Sequence, residues 1–213
     1  NFEPIVFCLL LILILGISHG ALDNVKGKKL LNLFGYKSFF YFYLIYISIS
    51  LLIISLWLLF PNTVLLLFLI VAAYHFGKED TVFLSKRKFL ISECLYFLKG
   101  SAVILAPLLF QKDKTNEIFR ILNFNVFESQ IFNNHFLVTL LCLSFLSSLF
   151  ISNKKNFDLK GLMIMDFFSL IILNIFLTPV LAFTIYFCFL HSVRHSITLI
   201  FELDKSFKSG FKK

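Results

Sequence analysis

Long apolar segments separated by short polar loops constrain the fold of this chain more than any other feature. Hydrophobic residues make up 59% of its 213 residues, and charged residues make up only 15%. Soluble domains have about a quarter of their residues charged, whereas an apolar segment of about 20 residues can cross a bilayer as a helix. Because a backbone inside lipid must satisfy its own hydrogen bonds, we expect an all-α, polytopic membrane helix bundle.

Seven apolar segments predict about seven transmembrane helices in a single domain that covers residues 1–213. Pro61 and Pro179 stand near two of the predicted helix starts, where the missing N–H of proline does no harm. The first segment also has the length of a signal-peptide core, but no A-x-A cleavage site follows it, so we interpret it as a transmembrane helix. The predicted spans are residues 3–22, 39–60, 62–77, 89–110, 134–151, 162–178 and 179–202.

The basic residues predict how this bundle is oriented. Most of the 20 lysine and arginine residues lie in the loops at 23–38, 77–88 and 152–161 and at the C-terminal end. The positive-inside rule therefore predicts an outer N-terminus and a cytoplasmic C-terminus in a multi-pass protein of the cell (inner) membrane. A nucleic-acid partner would require the cations on one soluble face, so we expect the lipid bilayer, and no nucleic acid, as the surrounding partner.

Four histidines are predicted to lie at one depth, in the inner half of the bilayer. His75 and His191 lie about 21 Å and about 18 Å along their helices from the prolines at the outer ends. His195 lies one turn beyond His191 on the same helix face, and His19 reaches a similar depth on the first span. The fifth histidine, His135, begins a span on the outer side, so we exclude it from this layer.

Four imidazoles at a shared depth indicate a metal site. Imidazole is a suitable ligand for Zn, Cu, Fe and Ni, and ionisable groups inside a membrane are functional by default. Each histidine alone is also compatible with a polar residue that reaches the interface. Carboxylates in the same layer would orient the histidines by accepting their second N–H, and the candidates are Asp23, Asp80, Glu93 and Asp166. Asp23 and Asp80 are equally compatible with loop residues that face water.

The motifs SHGALD, YHFGKED, SECLYFLKGSAVILAPLLF and YFCFLHSVRHSI follow one another along the chain. In this order they resemble the Brp/Blh family of β-carotene dioxygenases over nearly the whole sequence. The resemblance implies a membrane enzyme that cleaves β-carotene at its central double bond with O₂ to give two molecules of all-trans-retinal. It also implies a functional link to a retinal-binding rhodopsin, and a non-haem Fe(2+) bound by His19, His75, His191 and His195.

The chain departs from this family pattern at two positions. Lys99 precedes Gly100 where the family usually has arginine, and Leu190 stands where tryptophan is common. Neither position is a predicted ligand. Aromatic residues that flank the ligands are candidates for the wall of a tunnel for an apolar polyene, although ordinary helix packing explains them equally well. They are Tyr74, Tyr186, Phe187 and Phe189.

Other functional classes fit the sequence less well. A membrane di-iron desaturase or hydroxylase needs several histidine boxes, whereas this chain has 5 histidines in total. A zincin needs glutamate after the first histidine of its motif, and Ser192 stands there instead. The strongest alternative is a histidine-based metal or proton transporter. A transporter would require polar residues that continue to the outer face, where these helices are almost wholly apolar.

The predicted orientation can be tested with topology reporters. Because most basic loops are assigned to the inner side, a reporter fused after Lys213 should be active only in the cytoplasm. The same reporter inserted near Lys114 should be active only outside. An external C-terminus would contradict both the orientation and the common depth of the histidines.

Overall fold

The computed structural model describes residues 2–20, 23–35, 40–82, 90–151 and 157–203. The side chains at 2–3, 16–20, 23–26, 29, 82, 90, 157–159 and 199–203 lie outside this description, so nothing is derived from the side chains of His19 and Asp23. Within the described ranges the chain is helical with short turns, and those ranges contain no strand. The prediction of an all-α fold is therefore confirmed.

The described residues form ten α-helices. A π-helical turn at Tyr186–His191 joins the last two of them into one continuous segment, and two 3₁₀ turns at Val126–Glu128 and Gln130–Phe132 precede α7. The helices are α1 (Phe2–Gly20), α2 (Asp23–Leu33), α3 (Phe40–Leu59), α4 (Pro61–Val82), α5 (Leu90–Phe110), α6 (Lys112–Ile121), α7 (Asn134–Ile151), α8 (Phe157–Phe176), α9 (Pro179–Ile185) and α10 (Ser192–Leu203).

Five described segments are long and apolar enough to cross a membrane. They are Phe40–Leu59, Pro61–Thr81, Ile91–Phe110, Asn134–Ile151 and Pro179–Thr198. A shorter apolar stretch, Pro4–Leu15, lies in α1, at the position of the first predicted span. The helices thus support a polytopic membrane protein, while the total of seven spans and the orientation of the termini remain predictions.

The end of α4 was predicted incorrectly. The sequence predicts a span that ends at residue 77 because charged residues follow, but the helix continues to Val82. Lys78, Glu79 and Asp80 are therefore helical, and Asp80 is buried rather than facing water in a loop. The helix continues because these charged side chains find partners on neighbouring helices, which reduces the cost of placing them at membrane depth.

Two glycines allow α4 and α5 to approach each other closely. A Cβ atom added at Gly77 would lie 1.8 Å from the backbone oxygen of Tyr96, and one added at Gly100 would lie 1.8 Å from that of Ala73. No side chain fits at either position, so the two backbones are in direct contact. On its other side α5 packs against α7, whose Ser144 hydroxyl donates a 3.0 Å hydrogen bond to the backbone oxygen of Lys99. Small residues at such contacts are typical of helix pairs in membranes.

The α3 helix has no buried residue. Its apolar side chains, which include Trp57, Leu58 and Leu59, are exposed along its whole length. Such a surface is unfavourable in water but matches lipid tails. α3 therefore lies at the periphery of the bundle, and the functional residues must be sought between α4, α5 and the last helices.

The close contact of α4 and α5 predicts a clear difference between glycines. Gly77→Ala and Gly100→Ala should each destabilise the bundle by about 1–3 kcal/mol, because the methyl group forces the two backbones apart. Gly161→Ala is the matched control, since a Cβ at Gly161 meets no atom within 4 Å and alanine favours the helix. Melting temperatures in detergent measure the effect. Equal stability of all three variants would contradict the contact.

Candidate functional site

Three of the four histidines predicted for one layer lie together. His75 is on α4, His191 ends the π-helical turn and His195 is on α10. The ring centroids are 5.4 Å apart for His75 and His191, 6.5 Å for His75 and His195, and 6.4 Å for His191 and His195. His191 and His195 are buried, whereas His75 is exposed. Of these three rings, that of His75 is therefore the most exposed.

The fourth predicted ligand, His19, belongs to a helix next to this cluster. α1 packs against α9, the π-helical turn and α10, and His19 lies near its C-terminal end. The side chain of His19 is outside the described residues, and so is that of Asp23. The position of α1 is consistent with a fourth histidine beside the other three. His135 begins α7.

Asp80 holds His191 and Tyr186 at the same time. Nδ1 of His191 lies 2.8 Å from one carboxylate oxygen of Asp80, and the Tyr186 hydroxyl donates to the other oxygen at 2.6 Å. All three residues are buried. Both oxygens of the carboxylate are engaged, so Asp80 on α4 fixes the orientation of the His191 ring.

The π-helical turn explains how Tyr186 and His191 reach one carboxylate. A π-helix forms hydrogen bonds between residues five positions apart, which brings residues with that spacing to the same side of the helix. Tyr186 and His191 have this spacing and are the first and last residues of the turn. In a regular α-helix they would diverge, so the turn is required for their shared contact with Asp80. Such turns are frequent at functional sites.

His195 is held by a carboxylate that the sequence did not single out. Its Nδ1 lies 3.2 Å from Oε2 of Glu79. Glu79 follows His75 by four residues, which places both on one face of α4. This spacing is the signal that could have identified Glu79 in the sequence motif YHFGKED.

Two other predicted carboxylates contact residues other than histidine. Asp166 on α8 binds Arg194 through two parallel hydrogen bonds of 2.6 and 2.8 Å. Glu93 on α5 accepts a hydrogen bond from the Tyr74 hydroxyl and forms a 3.3 Å ion pair with Lys78. The expectation that both acids orient histidines therefore needs correction. Arginine is the better partner for Asp166 because its guanidinium donates two N–H groups to one carboxylate.

Asp166 still acts on the histidine segment, although indirectly. Its partner Arg194 lies directly before His195 on α10, so the ion pair attaches this helix to α8. Lys99 lies near the same group and donates a 3.1 Å hydrogen bond to the Thr81 hydroxyl. Lys99, Asp80 and Asp166 line a cavity of about 30 Å³. The cations Lys99 and Arg194 balance the carboxylates Asp80 and Asp166 in formal charge. This balance lowers the free-energy cost of burying the four groups.

The aromatic residues predicted as a tunnel wall have different roles. The Tyr186 hydroxyl is bound to Asp80 and the Tyr74 hydroxyl to Glu93. Phe187 stacks on His191 with a centroid distance of 5.7 Å. Phe189 is 63% exposed and points away from the buried core. The Tyr186 ring also stacks on His191, with a centroid distance of 6.2 Å, so two of the four aromatic residues cover this histidine.

A larger apolar pocket lies beside the histidines. It has a volume of about 380 Å³ and lies between α1, α4, α5, α6 and α9. Phe76 lines it, and the Phe76 ring packs edge-on against His191 at 4.8 Å. Phe183 forms another part of its wall. The pocket is therefore separated from His191 by a single aromatic ring, although none of the four predicted tunnel residues lines it.

The donor chemistry of the cluster fits a metal that prefers imidazole. Two imidazoles on one ion have ring centroids at most about 6.5 Å apart for metal–nitrogen distances of about 2.1 Å. The observed distances are 5.4, 6.4 and 6.5 Å, so the three rings would have to move slightly closer together to bind one ion. Two of the rings also have Nδ1 against a carboxylate, as metal-bound histidines usually do. Within the described part of the chain, however, no group of three or more donors is already arranged to hold an ion.

Comparison with known proteins points to one family. The chain matches a family model described as Beta-carotene 15,15'-dioxygenase over residues 10–212, a region that contains all four predicted ligands. It is also 27% identical over 197 residues to a protein named Beta-carotene 15,15'-dioxygenase from Uncultured marine bacterium 66A03. That match covers 88% of this chain and 66% of the relative, so the chain spans just under two thirds of the relative's length. No solved structure matches the chain.

The contacts of Asp80 predict a graded loss of stability. Asp80→Ala should destabilise the protein by about 3 kcal/mol, because it removes the acceptor of two buried groups and leaves a buried cation unbalanced. Asp80→Asn keeps one acceptor oxygen, so it should lose less stability than Asp80→Ala. Glu93→Ala should have the smallest effect of the three, because the Glu93 side chain is 42% exposed and exposed ion pairs contribute little to stability. Melting temperatures in detergent should fall most in Asp80→Ala, less in Asp80→Asn and least in Glu93→Ala. Any other order would contradict the contacts assigned to Asp80.

Proposed function

This chain belongs to the beta-carotene 15,15'-dioxygenase family, and from this premise we propose that it cleaves β-carotene at the central double bond. In the proposed reaction O₂ is the second substrate and two molecules of all-trans-retinal are the products. The observation that carries this proposal is the cluster of His75, His191 and His195 beside an apolar pocket of about 380 Å³. Such a pocket suits an apolar polyene that partitions into lipid.

The proposed metal is Fe(2+), bound by His19, His75, His191 and His195. The identity of the metal as iron rests on the family resemblance. Nδ1 of His191 and of His195 faces a carboxylate, so Nε2 is the nitrogen of each of these rings that would bind the ion. Bound Fe(2+) would supply the redox chemistry that lets O₂ react with a closed-shell polyene.

The protein's own residues would then orient the reacting partners. Asp80 and Tyr186 hold the His191 ring, and Glu79 holds His195. Hydrogen bonds from the ring N–H groups to these carboxylates would fix the ring orientations and raise the basicity of the ligand histidines. Phe76 and Phe187 cover His191 with apolar rings. These rings exclude water from the side of the site where the polyene would lie.

The pocket also bears on the alternative of a metal or proton transporter. A transport path would need polar groups from the histidines to the outer face. Instead, the pocket between the cluster and α6 is lined almost entirely by apolar side chains. This lining favours the enzyme over the transporter. We further propose that the enzyme acts in the cell (inner) membrane and that a retinal-binding rhodopsin consumes its product.

The proposed function predicts the effect of single histidine changes in cells that produce β-carotene. The unaltered protein should remove the orange colour and form retinal. Alanine at position 19, 75, 191 or 195 should abolish cleavage and lower the iron content of the purified protein, because each change removes one ligand. Retinal is measured by chromatography and iron by elemental analysis.

His135→Ala is the matched control, since its side chain lies at the start of α7. It should retain both retinal formation and iron. If His135 were essential while one of the other four was dispensable, the assignment of the metal site would be wrong. Metal binding without retinal in the unaltered protein would instead favour the transporter.

A further inference from the structure

We propose that Lys99 is a positioning residue for the histidine cluster. It acts on His191 through Asp80 and through one water molecule, bound in the small cavity that Lys99 and Asp80 both line. That the cluster binds a metal rests on the proposed function. The connection from Lys99 to His191 rests on the contacts of α4, α5 and α8.

The backbone of Lys99 is held where two helix contacts meet. Gly100, the next residue on α5, lies in direct contact with α4, and the Ser144 hydroxyl of α7 donates a 3.0 Å hydrogen bond to the Lys99 carbonyl. The ammonium group donates a 3.1 Å hydrogen bond to the Thr81 hydroxyl, which itself donates to the Gly77 carbonyl. Lys99 therefore reaches the polar end of α4 from a fixed position on α5.

The ammonium group of Lys99 has more donors than direct partners. It carries three N–H groups, and within the part of the chain that the structure describes Thr81 is its one direct acceptor. A cavity of about 30 Å³ adjoins Lys99, and the carboxylates of Asp80 and Asp166 line the same cavity. Because donors without acceptors are costly away from bulk water, we expect the remaining N–H groups to be satisfied in this cavity.

The cavity has the size and the polarity that a water molecule requires. A buried water needs roughly 10–15 Å³ of such space and roughly two to four polar partners, and this cavity provides both. An ion is less suitable, because the two carboxylates are already balanced in formal charge by Lys99 and Arg194. A water in this place accepts a hydrogen bond from the ammonium group and donates one to a carboxylate.

Asp80 connects the cavity to the histidine cluster. One of its oxygens lies 2.8 Å from Nδ1 of His191, and the other accepts a 2.6 Å hydrogen bond from Tyr186. A carboxylate has about four acceptor sites, so it can also accept a hydrogen bond from the cavity. The Lys99 cation attracts this carboxylate and, with the water, holds it in place. Without that cation Asp80 is free to turn, and the His191 ring that it holds turns with it.

The positioning role is tested with Lys99→Met, which removes the cation but keeps a long side chain, and with Lys99→Arg, which keeps the cation. Lys99→Met should lower the affinity of the purified protein for Fe(2+) about 10-fold, as expected for a residue that orients a metal ligand. It should also shift the visible absorption bands of the Co(2+)-substituted protein, which depend on the orientation of the ligands. Lys99→Arg should keep both properties, because a guanidinium can donate directly to a carboxylate.

Lys78→Met is the matched control. Lys78 lies three residues after His75 on α4, but it is paired with Glu93, which holds no histidine. This variant should keep the iron affinity and the spectrum of the unaltered protein. If Lys99→Met bound iron as tightly as Lys78→Met, the positioning role would be overturned. Equal losses in Lys99→Met and Lys99→Arg would also overturn it, because the cation would then not be the cause.

A double variant tests whether Lys99 acts through Asp80. If it does, Lys99→Met combined with Asp80→Asn should lower the iron affinity no further than Asp80→Asn alone, because residues that share a partner are not additive. Losses that multiply would overturn the connection. The double variant removes one charge of each sign, so it serves as the test even if Lys99→Met alone does not fold.

A high-resolution structure of the unaltered protein tests the bound water. Density for a water is expected within about 3.2 Å of both Nζ of Lys99 and a carboxylate oxygen of Asp80 or Asp166. An ion in the cavity, or a direct hydrogen bond from Nζ to the carboxylate of Asp80 with no water, would overturn the bridge.

The melting temperature of the metal-free protein separates this inference from the proposed function. Lys99→Met and Asp80→Asn should be non-additive in this measurement as well, because their connection does not require the metal. If the proposed function failed, the unaltered protein would form no retinal while the non-additivity persisted. If the inference failed, retinal would still be formed and the two changes would be additive.

Discussion

The direct contact between the backbones of α4 and α5 at Gly77 and Gly100 is the constraint on which the rest of the structure depends. Gly77 accepts a hydrogen bond from Thr81 one turn later, and Lys99, next to Gly100, donates to the same threonine hydroxyl. The glycines therefore bring the polar end of α4 against a cation of α5. Asp80 lies in this polar end, and it sets the orientation of His191.

The need to balance charge inside an apolar bundle explains the other polar contacts around the histidines. An unpaired charge at membrane depth is costly, and the described carboxylates around the histidines each have a partner. Asp166 is paired with Arg194, Glu93 with Lys78, and Glu79 with His195. The polar residues thus attach α4, α5, α8 and α10 to one another, while the apolar pocket beside them stays available to a ligand. The same ion pairs therefore stabilise the bundle and hold the histidines of the proposed metal site.

The sequence predicts well which histidines lie close together, and it predicts poorly which residues they contact. Apolar length and prolines set the position of each residue along a helix, so the convergence of His75, His191 and His195 could be predicted. Contacts also depend on the direction in which each side chain leaves the helix axis. The π-helical turn of residues 186–191 changes this direction relative to a regular α-helix. The turn joins Tyr186 to Asp80 instead of exposing it to a tunnel. The extension of α4 to Val82 was missed for a related reason, since charge alone does not reveal a partner on another helix.

In the proposed reaction a histidine-bound metal beside this pocket cleaves a carotenoid. The most direct measurement is the ratio of retinal formed to β-carotene consumed by the purified, iron-loaded protein in detergent under air. The proposed central cleavage predicts two molecules of retinal for each molecule of β-carotene, with consumption that depends on iron and on O₂. Iron binding without any loss of β-carotene, or products of unequal length, would contradict the account.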